Sequence, residues 1–287
     1  MERELWPLLY RVLCKVGKTI HQKDVTYQPW IIVAVILWAA LHDRPVGWAC
    51  KPENWSTTRL RPLQLPSHST VSTRASKIAT GLVWRALEQR LRDMEVPGLL
   101  SFLDGKPLEV GGASKDRQAR VGRSAGRMGR GYKLHTVWSN RCLPEAWDIT
   151  PLNVAETVVA RDLVRQAARG GYLLADGHLD ASPLFDAAAA GGYQLLVPPP
   201  ETGAGAGHHY QSPFRLRSIE LMHRPFGAEL YRQRIRIESL YGNATSFGGG
   251  MAPLPAWVRH LDRVRTWTWA KLLINGARIM RNKRLAT

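Results

Sequence analysis

Short apolar runs that alternate with segments of helical periodicity constrain the fold of this chain more than any other feature. Strand-like runs cover residues 99–103, 132–138, 143–149, 172–175 and 193–197, and helical patterns fill residues 153–168 and 182–190. Within the first helical pattern, Asn153-Val-Ala-Glu156 fits a capping box. Such alternation is typical of a mixed sheet flanked by helices, so the sequence predicts an α/β domain.

Two of the apolar runs end in Asp-Gly, at Asp104 and at Asp176. This pattern predicts a buried strand that delivers a carboxylate to the edge of the sheet and is followed by a turn. Taken singly, an Asp-Gly pair usually marks only a turn. Two such aspartates on different strands of one sheet indicate a possible shared site.

A third acid, Glu238, lies in a strongly basic stretch. Tyr231, Arg234 and Glu238 are three and four residues apart, so the spacing predicts one helical surface that carries all three. A carboxylate in such surroundings is either a salt-bridge partner or a metal ligand beside a polyanion. Two strand-end aspartates with a glutamate from a helix form an arrangement that binds a pair of divalent cations, and oxygen ligands favour Mg²⁺, with Mn²⁺ as the substitute.

The net charge indicates an acidic partner. Lys and Arg total 40 against 23 Asp and Glu, which gives a formal charge of +17 and a pI near 10.4. Nucleic acid is the first candidate; an anionic membrane surface and a ribosomal location are the alternatives. A carboxylate-pair glycosidase would account for the acids but not for this charge.

Basic residues and glycines are concentrated between residues 115 and 133, with Asp116 as the only acid. Glycine at this density opposes regular structure, so we expect a mobile cationic loop that contacts DNA phosphates; a solvated linker is the alternative. The basic residues in this segment are Lys115, Arg117, Arg120, Arg123, Arg127, Arg130 and Lys133. Among them, Arg123, Arg127, Arg130 and Lys133 are the predicted DNA contacts.

Residues 1–97 have helical patterns and no acidic constellation, and Pro97-Gly98 predicts a hinge into a second domain over 98–287. The apolar run at residues 30–41 is shorter than the roughly twenty residues that span a bilayer, so it predicts a buried helix. A Ser/Thr-rich turn at residues 67–73 leads into a basic helix over 73–94. This pair fits either half of a helix-turn-helix that binds DNA or a capped amphipathic helix.

Two further features concern the cellular location. Cys14, Cys50 and Cys142 match no zinc spacing and no disulfide framework, which predicts free thiols in a reducing cytoplasm. Glu2 and Glu4 lie where the basic region of a secretory signal would be. We therefore expect a cytoplasmic protein with no membrane association.

The order of motifs resembles the DDE transposases of bacterial insertion sequences over roughly residues 99–285. The resemblance rests on four motifs, Phe102-Leu-Asp-Gly105, Gly131-Tyr-Lys-Leu-His135, Thr150-Pro-Leu-Asn-Val154 and Leu174-Ala-Asp-Gly177. The C-terminal stretch is similar to the Tyr-x2-Arg-x3-Glu-x6-Lys pattern of the IS-four group. Tyr231, Arg234 and Glu238 fill its first three places, and Thr245 stands where that group has a basic residue.

The resemblance implies an RNase H-like catalytic core, preceded here by an all-α DNA-binding region. Asp104, Asp176 and Glu238 would bind two Mg²⁺ ions, and Tyr231 and Arg234 would hold DNA phosphates near the cut. A water and then the freed 3′-OH of the element would attack phosphates at the element ends and at the target. The implied partner is double-stranded DNA, bound by a homodimer in the bacterial nucleoid, with no organic cofactor.

Two other functions fit the same core. Thr245 favours a catalytically decayed transposase that acts as a DNA-binding repressor, and a nuclease of the same fold would cut without joining strands. The 62 residues between Asp176 and Glu238 predict a compact core without the large β-rich insertion of some relatives. One further strand over residues 214–222 remains possible in that interval.

Overall fold

A computed structural model describes residues 2–56, 58–167, 169–198, 211–246, 250–251 and 254–285. The chain forms two compact units, Met1–Glu95 together with Ala244–Thr287, and Val96–Asn243. This division differs from the predicted ranges 1–97 and 98–287, because the C-terminal residues pack with the N-terminal helices rather than with the sheet.

The N-terminal part of the first unit is helical, and its core is formed by apolar helices. The helices are α1 (Glu2–Thr19), α2 (Pro29–Leu41), α3 (Val46–Ala49), α4 (His68–Arg74) and α5 (Ile78–Arg92). Helix α2 is apolar over its whole length and is buried from Ile32 to Leu41, which confirms the predicted buried helix. None of the described helices combines the length and apolarity needed to cross a membrane.

The Ser/Thr-rich segment before the basic helix forms a helix of its own, so the predicted turn at 67–73 is wrong. Ser67 precedes α4, and its Oγ accepts a hydrogen bond from the backbone N–H of Thr70 at 3.2 Å. A serine in this position satisfies a donor that the first helical turn leaves free. The basic helix then starts at Ile78 instead of Thr73.

The second unit is built on a mixed sheet, as predicted, which has six strands rather than the five expected from the apolar runs. Its strands are β1 (Leu100–Glu109), β2 (Arg120–Arg123), β3 (Met128–Trp138), β4 (Ala146–Pro151), β5 (Gly171–Leu174) and β6 (Tyr193–Leu196). The order is β2-β3-β1-β5-β6, and β4 also pairs with β3. Strand β1 is antiparallel to β3 and parallel to β5, so it joins the antiparallel and parallel parts of the sheet.

Helices flank this sheet. They are α6 (Glu156–Ala167), α7 (Ser182–Ala190), α8 (Pro213–Met222), α9 (Pro225–Arg232) and α10 (Arg236–Thr245). Apolar residues of α6 and α7, such as Leu163 and Phe185, pack on Leu103, Val137 and Leu195 of the sheet. This mixed α/β architecture fits an RNase H-like domain.

Two predicted elements near the sheet are wrong. The possible strand at 214–222 is helix α8, which starts at Pro213 and is capped by Ser212, whose Oγ accepts a hydrogen bond from the Phe214 N–H. The predicted capping box is also absent, because α6 begins at Glu156 itself. The carboxylate of Glu156 instead pairs with Lys133.

The predicted mobile loop at 115–133 is largely a β-hairpin, formed by β2 and the start of β3. Its glycines are needed for close packing rather than for mobility. A Cβ on Gly122 would overlap the carbonyl of Leu152, and one on Gly131 would overlap the carbonyl of Leu108. Gly126, with φ +73°, lies in the hairpin turn, where a side chain would be strained.

The long helix α11 (Leu261–Leu285) completes the first unit. Its Lys271 side chain is fully buried, donates a 2.7 Å hydrogen bond to the carbonyl of Ala40, and pairs with Asp43. The ammonium also lies 4.6 Å from the ring centroid of Trp267. A charge in the core thus attaches α11 to the C-terminal end of α2.

Candidate active site

Asp104 and Asp176 lie side by side at the point where β1 extends beyond β5. The last paired residues of the two parallel strands are Phe102 and Leu174, and each aspartate follows two residues later. Side chains two residues apart along an extended chain project from the same side, and Asp176 keeps extended backbone angles (φ −80°, ψ 168°), so both carboxylates are level and on one face. The sheet therefore brings the two predicted aspartates together.

Asp104 itself is part of β1 and is not followed by a turn, so that detail of the prediction is wrong. Strand β1 continues to Glu109 because β3 pairs with it as far as Gly131. Asp176, in contrast, does follow the end of β5, and its Oδ1 accepts a 3.1 Å hydrogen bond from the N–H of His178.

Burial raises the pKa of Asp104 above its usual value. The N–H of Gly105, which donates to Oδ1 at 2.8 Å, and the charge of Arg234 lower that pKa, whereas Asp176 and Glu156 raise it. Because two neighbouring carboxylates raise the pKa of Asp104, the place holds excess negative charge, which a bound cation would relieve.

Tyr231 and Arg234 both reach this negative site. The Tyr231 hydroxyl donates a 3.0 Å hydrogen bond to the carbonyl of Ala175, the residue before Asp176. Burial raises the pKa of Tyr231, Arg234 lowers it, and the charges of Asp176 and Asp104 raise it further. The structure thus places the predicted tyrosine and arginine beside the two aspartates.

Glu238 is placed differently from the two aspartates. A 3₁₀ turn over Gln233–Ile235 joins α9 to α10, so Tyr231 and Glu238 lie on consecutive helical segments rather than on one regular α-helix, and the shared surface stays a prediction. Glu238 is exposed in the first turn of α10. It follows Arg234 by four residues, and Arg234 is the cation whose charge Asp104 senses.

The donor chemistry fits Mg²⁺ at the two aspartates, since level carboxylate oxygens are the ligands that this ion prefers. Over the described part of the chain, no three His, Cys, Asp or Glu side chains are arranged to hold one metal ion. The two aspartates therefore fit the implied ion, and the third ligand is not assembled with them.

A cleft of about 550 Å³ opens beside the aspartates. The strand ends and the hairpin line it, with Asp104, Gly105, Pro107, Arg123, Ser124, Ala125, Gly126, Arg127, Met128, Lys133, Glu156, Asp176 and His178. Glu156 is the third carboxylate of this lining. The sequence pattern assigned Glu156 to a helix cap. Only its position after the Thr-Pro-Leu-Asn motif could have indicated that it belongs to the site.

Lys133 and Glu156 form an ion pair against Gly105. A Cβ on Gly105 would lie 2.9 Å from Lys133 Cδ and 3.1 Å from Glu156 Oε2, so glycine makes room for this pair. The Lys133 side chain is only 8% exposed. Lys133, which was predicted to contact DNA, is thus already paired with a carboxylate of the protein.

The three predicted arginine contacts fall into two groups. Arg123 donates to His178 Nε2 at 3.2 Å and Arg127 pairs with Glu109; both are exposed at the rim of the cleft. Arg130 instead donates hydrogen bonds to three backbone carbonyls, those of Ser114, Asp116 and Ala119. Arg130 therefore holds the preceding segment in place, and the other two face solvent at the site.

Tyr241 and Lys106 belong to this site but were missed by the sequence analysis. Tyr241 donates a 2.9 Å hydrogen bond to the carbonyl of Asp104 and shares one of 2.8 Å with Thr136 Oγ1. The Lys106 ammonium lies 5.6 Å from the Tyr241 ring centroid. Burial lowers the pKa of Lys106, and the charge of Asp104 partly offsets this.

Fold and site define an α/β domain with paired carboxylates at a sheet edge and basic side chains around them. Residues 97–270 match the family described as the transposase DDE domain, so the chain belongs to that family. No curated protein and no solved structure matches the chain. The family confirms the resemblance to DDE transposases and implies DNA as the partner; membership of the IS-four group stays a prediction.

Proposed function

We propose that this protein cleaves the ends of an insertion sequence and joins them to target DNA by two-metal phosphoryl transfer. The observation that carries the proposal is the level pair of Asp104 and Asp176, with Tyr231 and Arg234 beside it. Excess negative charge in such a place favours a bound cation, and the surrounding arginines favour a phosphate.

Asp104, Asp176 and Glu238 would hold two Mg²⁺ ions, for which Mn²⁺ could substitute. When bound, such ions activate the attacking oxygen and stabilise the leaving oxygen. Arg234 would contribute a fixed charge toward the phosphate, since it lies close enough to Asp104 to lower its pKa. Tyr231 would orient the strand end at Ala175, to which it donates a hydrogen bond.

The proposal extends to the rest of the chain. The exposed arginines at the cleft rim, Arg123 and Arg127, would bind backbone phosphates, and the basic helix α5 would bind the element ends. Joining two ends requires two catalytic sites, so we propose a homodimer assembled on double-stranded DNA. As a bacterial transposase of the IS-four group, it would act at the nucleoid.

The proposal is tested by an excision assay on the DNA that flanks the gene, in Mg²⁺, in Mn²⁺ and in EDTA. We expect Glu238→Gln to abolish cutting, a loss of at least about a hundredfold, while DNA binding is retained. Glu229→Gln is the matched control, because Glu229 is also an exposed helical acid but pairs with Arg232. It should cut like the wild type.

Each rival function has its own outcome in this assay. Wild-type binding without any cutting would favour the decayed repressor, and Thr245→Lys would then be the first change that could restore activity. Cutting without joined products would favour a nuclease of the same fold. Full cutting by Glu238→Gln would show that the third ligand is misassigned.

A further inference from the structure

Lys106 occupies a position that the proposed metal ligands do not explain. It follows Asp104 by two residues on β1, so the two side chains project from the same face of the strand. Its neighbour across the sheet is Leu134, which offers no charge. The ammonium is therefore held on the face of the sheet that carries the aspartates.

The Tyr241 ring fixes this ammonium. Two hydrogen bonds, to Thr136 Oγ1 and to the carbonyl of Asp104, hold the hydroxyl end of the ring. The ammonium lies 5.6 Å from the ring centroid, within the range of a cation–π contact. A lysine that rests on an anchored ring is already oriented before any ligand arrives.

Among the described residues, the Tyr241 ring is the contact recorded for the Lys106 ammonium, which has no ion pair there. Over the described residues, its Nζ makes no hydrogen bond and has no carboxylate oxygen within 4.0 Å. Lys133, one strand away, is by contrast paired with Glu156. Partial burial of an unpaired cation is unfavourable unless another interaction compensates for it.

Asp104 lies two residues before Lys106 on the same face of β1. A divalent cation at Asp104 would neutralise that carboxylate and leave Lys106 facing added positive charge. Only an anion could then satisfy both cations. In a protein that acts on DNA, the backbone phosphate is the anion at hand.

We propose that Lys106 binds a non-bridging oxygen of the DNA phosphate that lies at the aspartate pair. This assignment rests on the proposed function. It makes Lys106 a substrate-binding residue, which approaches the phosphate from the β1 side, while Arg234 approaches from the helix side.

The test compares Lys106→Met, Lys106→Arg and the wild type for binding to a labelled duplex taken from the DNA that flanks the gene. Binding is measured over a series of salt concentrations in Ca²⁺, which also binds carboxylate oxygens. Methionine keeps the length that packs on Tyr241 but removes the charge. We expect it to reduce the slope of log affinity against log salt by about 0.9, the value of one phosphate contact, and Lys106→Arg to restore the slope.

Arg165→Met is the matched control, because Arg165 is an exposed cation on α6 that pairs with Asp162. It should leave the slope unchanged. The melting temperature of each variant is measured in parallel, and Lys106→Gln replaces Lys106→Met if the latter fails to fold. A slope equal to that of the wild type in the folded neutral variant would overturn the assignment.

The outcome separates the two proposals. If the wild type binds and cuts this DNA and Lys106→Met does both equally well, only the assignment of Lys106 is wrong. If the wild type does not bind the duplex at all, the proposed function fails and the phosphate contact fails with it.

Discussion

Two lysines, one in the helical unit and one in the sheet unit, have their charges compensated in opposite ways. In the helical unit, the fully buried ammonium of Lys271 has both a carboxylate partner, Asp43, and a carbonyl partner, Ala40. In the sheet unit, Lys106 has no ion pair among the described residues. Asp104 meanwhile lies beside another carboxylate, Asp176, that disfavours its ionisation.

This difference separates structural charges from functional ones. A buried ion pair whose partners satisfy each other contributes to a unique packing arrangement and has nothing left to offer a ligand. Charges held without partners reduce stability, and proteins retain such an arrangement mainly at sites where a ligand supplies the missing charge. Three predictions test this distinction.

The largest effect is expected for Lys271→Ala. It removes a buried aliphatic chain from the Trp267 ring, the ion pair with Asp43, and one of the two hydrogen bonds that the Ala40 carbonyl accepts; the other comes from the Asp43 N–H. We expect the free energy of unfolding of the helical unit to fall by about 3–4 kcal/mol. Denaturant unfolding measures this loss, and Lys283→Ala is the control, since Lys283 pairs with Glu95 from a half-exposed position. Equal losses for both variants would contradict a structural role for the buried pair.

The second effect concerns His135, a buried base in the sheet unit. Its Nε2 shares a 2.9 Å hydrogen bond with Thr150 Oγ1. Burial, helped by the charge of Lys133, lowers the pKa of His135 to about 4, whereas Asp148 opposes the shift. The folded protein therefore keeps this imidazole neutral where the unfolded chain, with a pKa of about 6.5, takes up a proton.

Stability should consequently fall as the pH drops from about 6.5 toward about 4. Between about pH 7.5 and about pH 5 the wild type should lose roughly 2 kcal/mol more than His135→Gln, which binds no proton there. Urea unfolding at a series of pH values measures the difference. Carboxylates titrate in both proteins, so their effect cancels in the difference between the two stabilities. If the curves of unfolding free energy against pH were parallel, His135 would take up a proton in the folded state as readily as in the unfolded chain.

The sequence predicted the sheet better than it predicted the surroundings of the site. Alternating apolar runs mark strands because a two-layer α/β core must bury them, and all five predicted strands are present with shifted ends. The hairpin at β2 and β3 was missed because glycine density was interpreted as mobility. Gly122 and Gly131 are instead required by backbone contacts that depend on distant residues.

At the site, too, the sequence predicted what a local pattern marks and missed what depends on distant contacts. Asp104 and Asp176 could be predicted, because apolar strands that end in an acid bring carboxylates to one edge. Lys106 and Tyr241 could not, since their contact joins β1 to a helix more than a hundred residues later and has no local pattern. Arg130 and Lys133 were assigned to DNA on charge alone, although their partners lie within the fold.

The smallest effect has the opposite sign and concerns Asp104→Asn. Burial and two neighbouring carboxylates raise the pKa of Asp104, so its ionised form is less stable in the folded protein than in the unfolded chain. An amide of the same shape can still accept the hydrogen bond from the Gly105 N–H. We expect the variant to lose cutting but to gain about 1 kcal/mol in the free energy of unfolding, measured by urea titration in EDTA.

Asp162→Asn controls for the removal of a negative charge, because Asp162 is an exposed residue of α6 that pairs with Arg165. It should change stability little. Added Mg²⁺ should make the wild type more stable than Asp104→Asn, because an ion that binds both ionised aspartates stabilises only the protein that has both. If Asp104→Asn were instead less stable than the wild type in EDTA, Arg234 would outweigh burial as an ion-pair partner. The charge of Asp104 would then be compensated within the protein, as the charge of Lys271 in α11 is. The contrast between the two units would not hold.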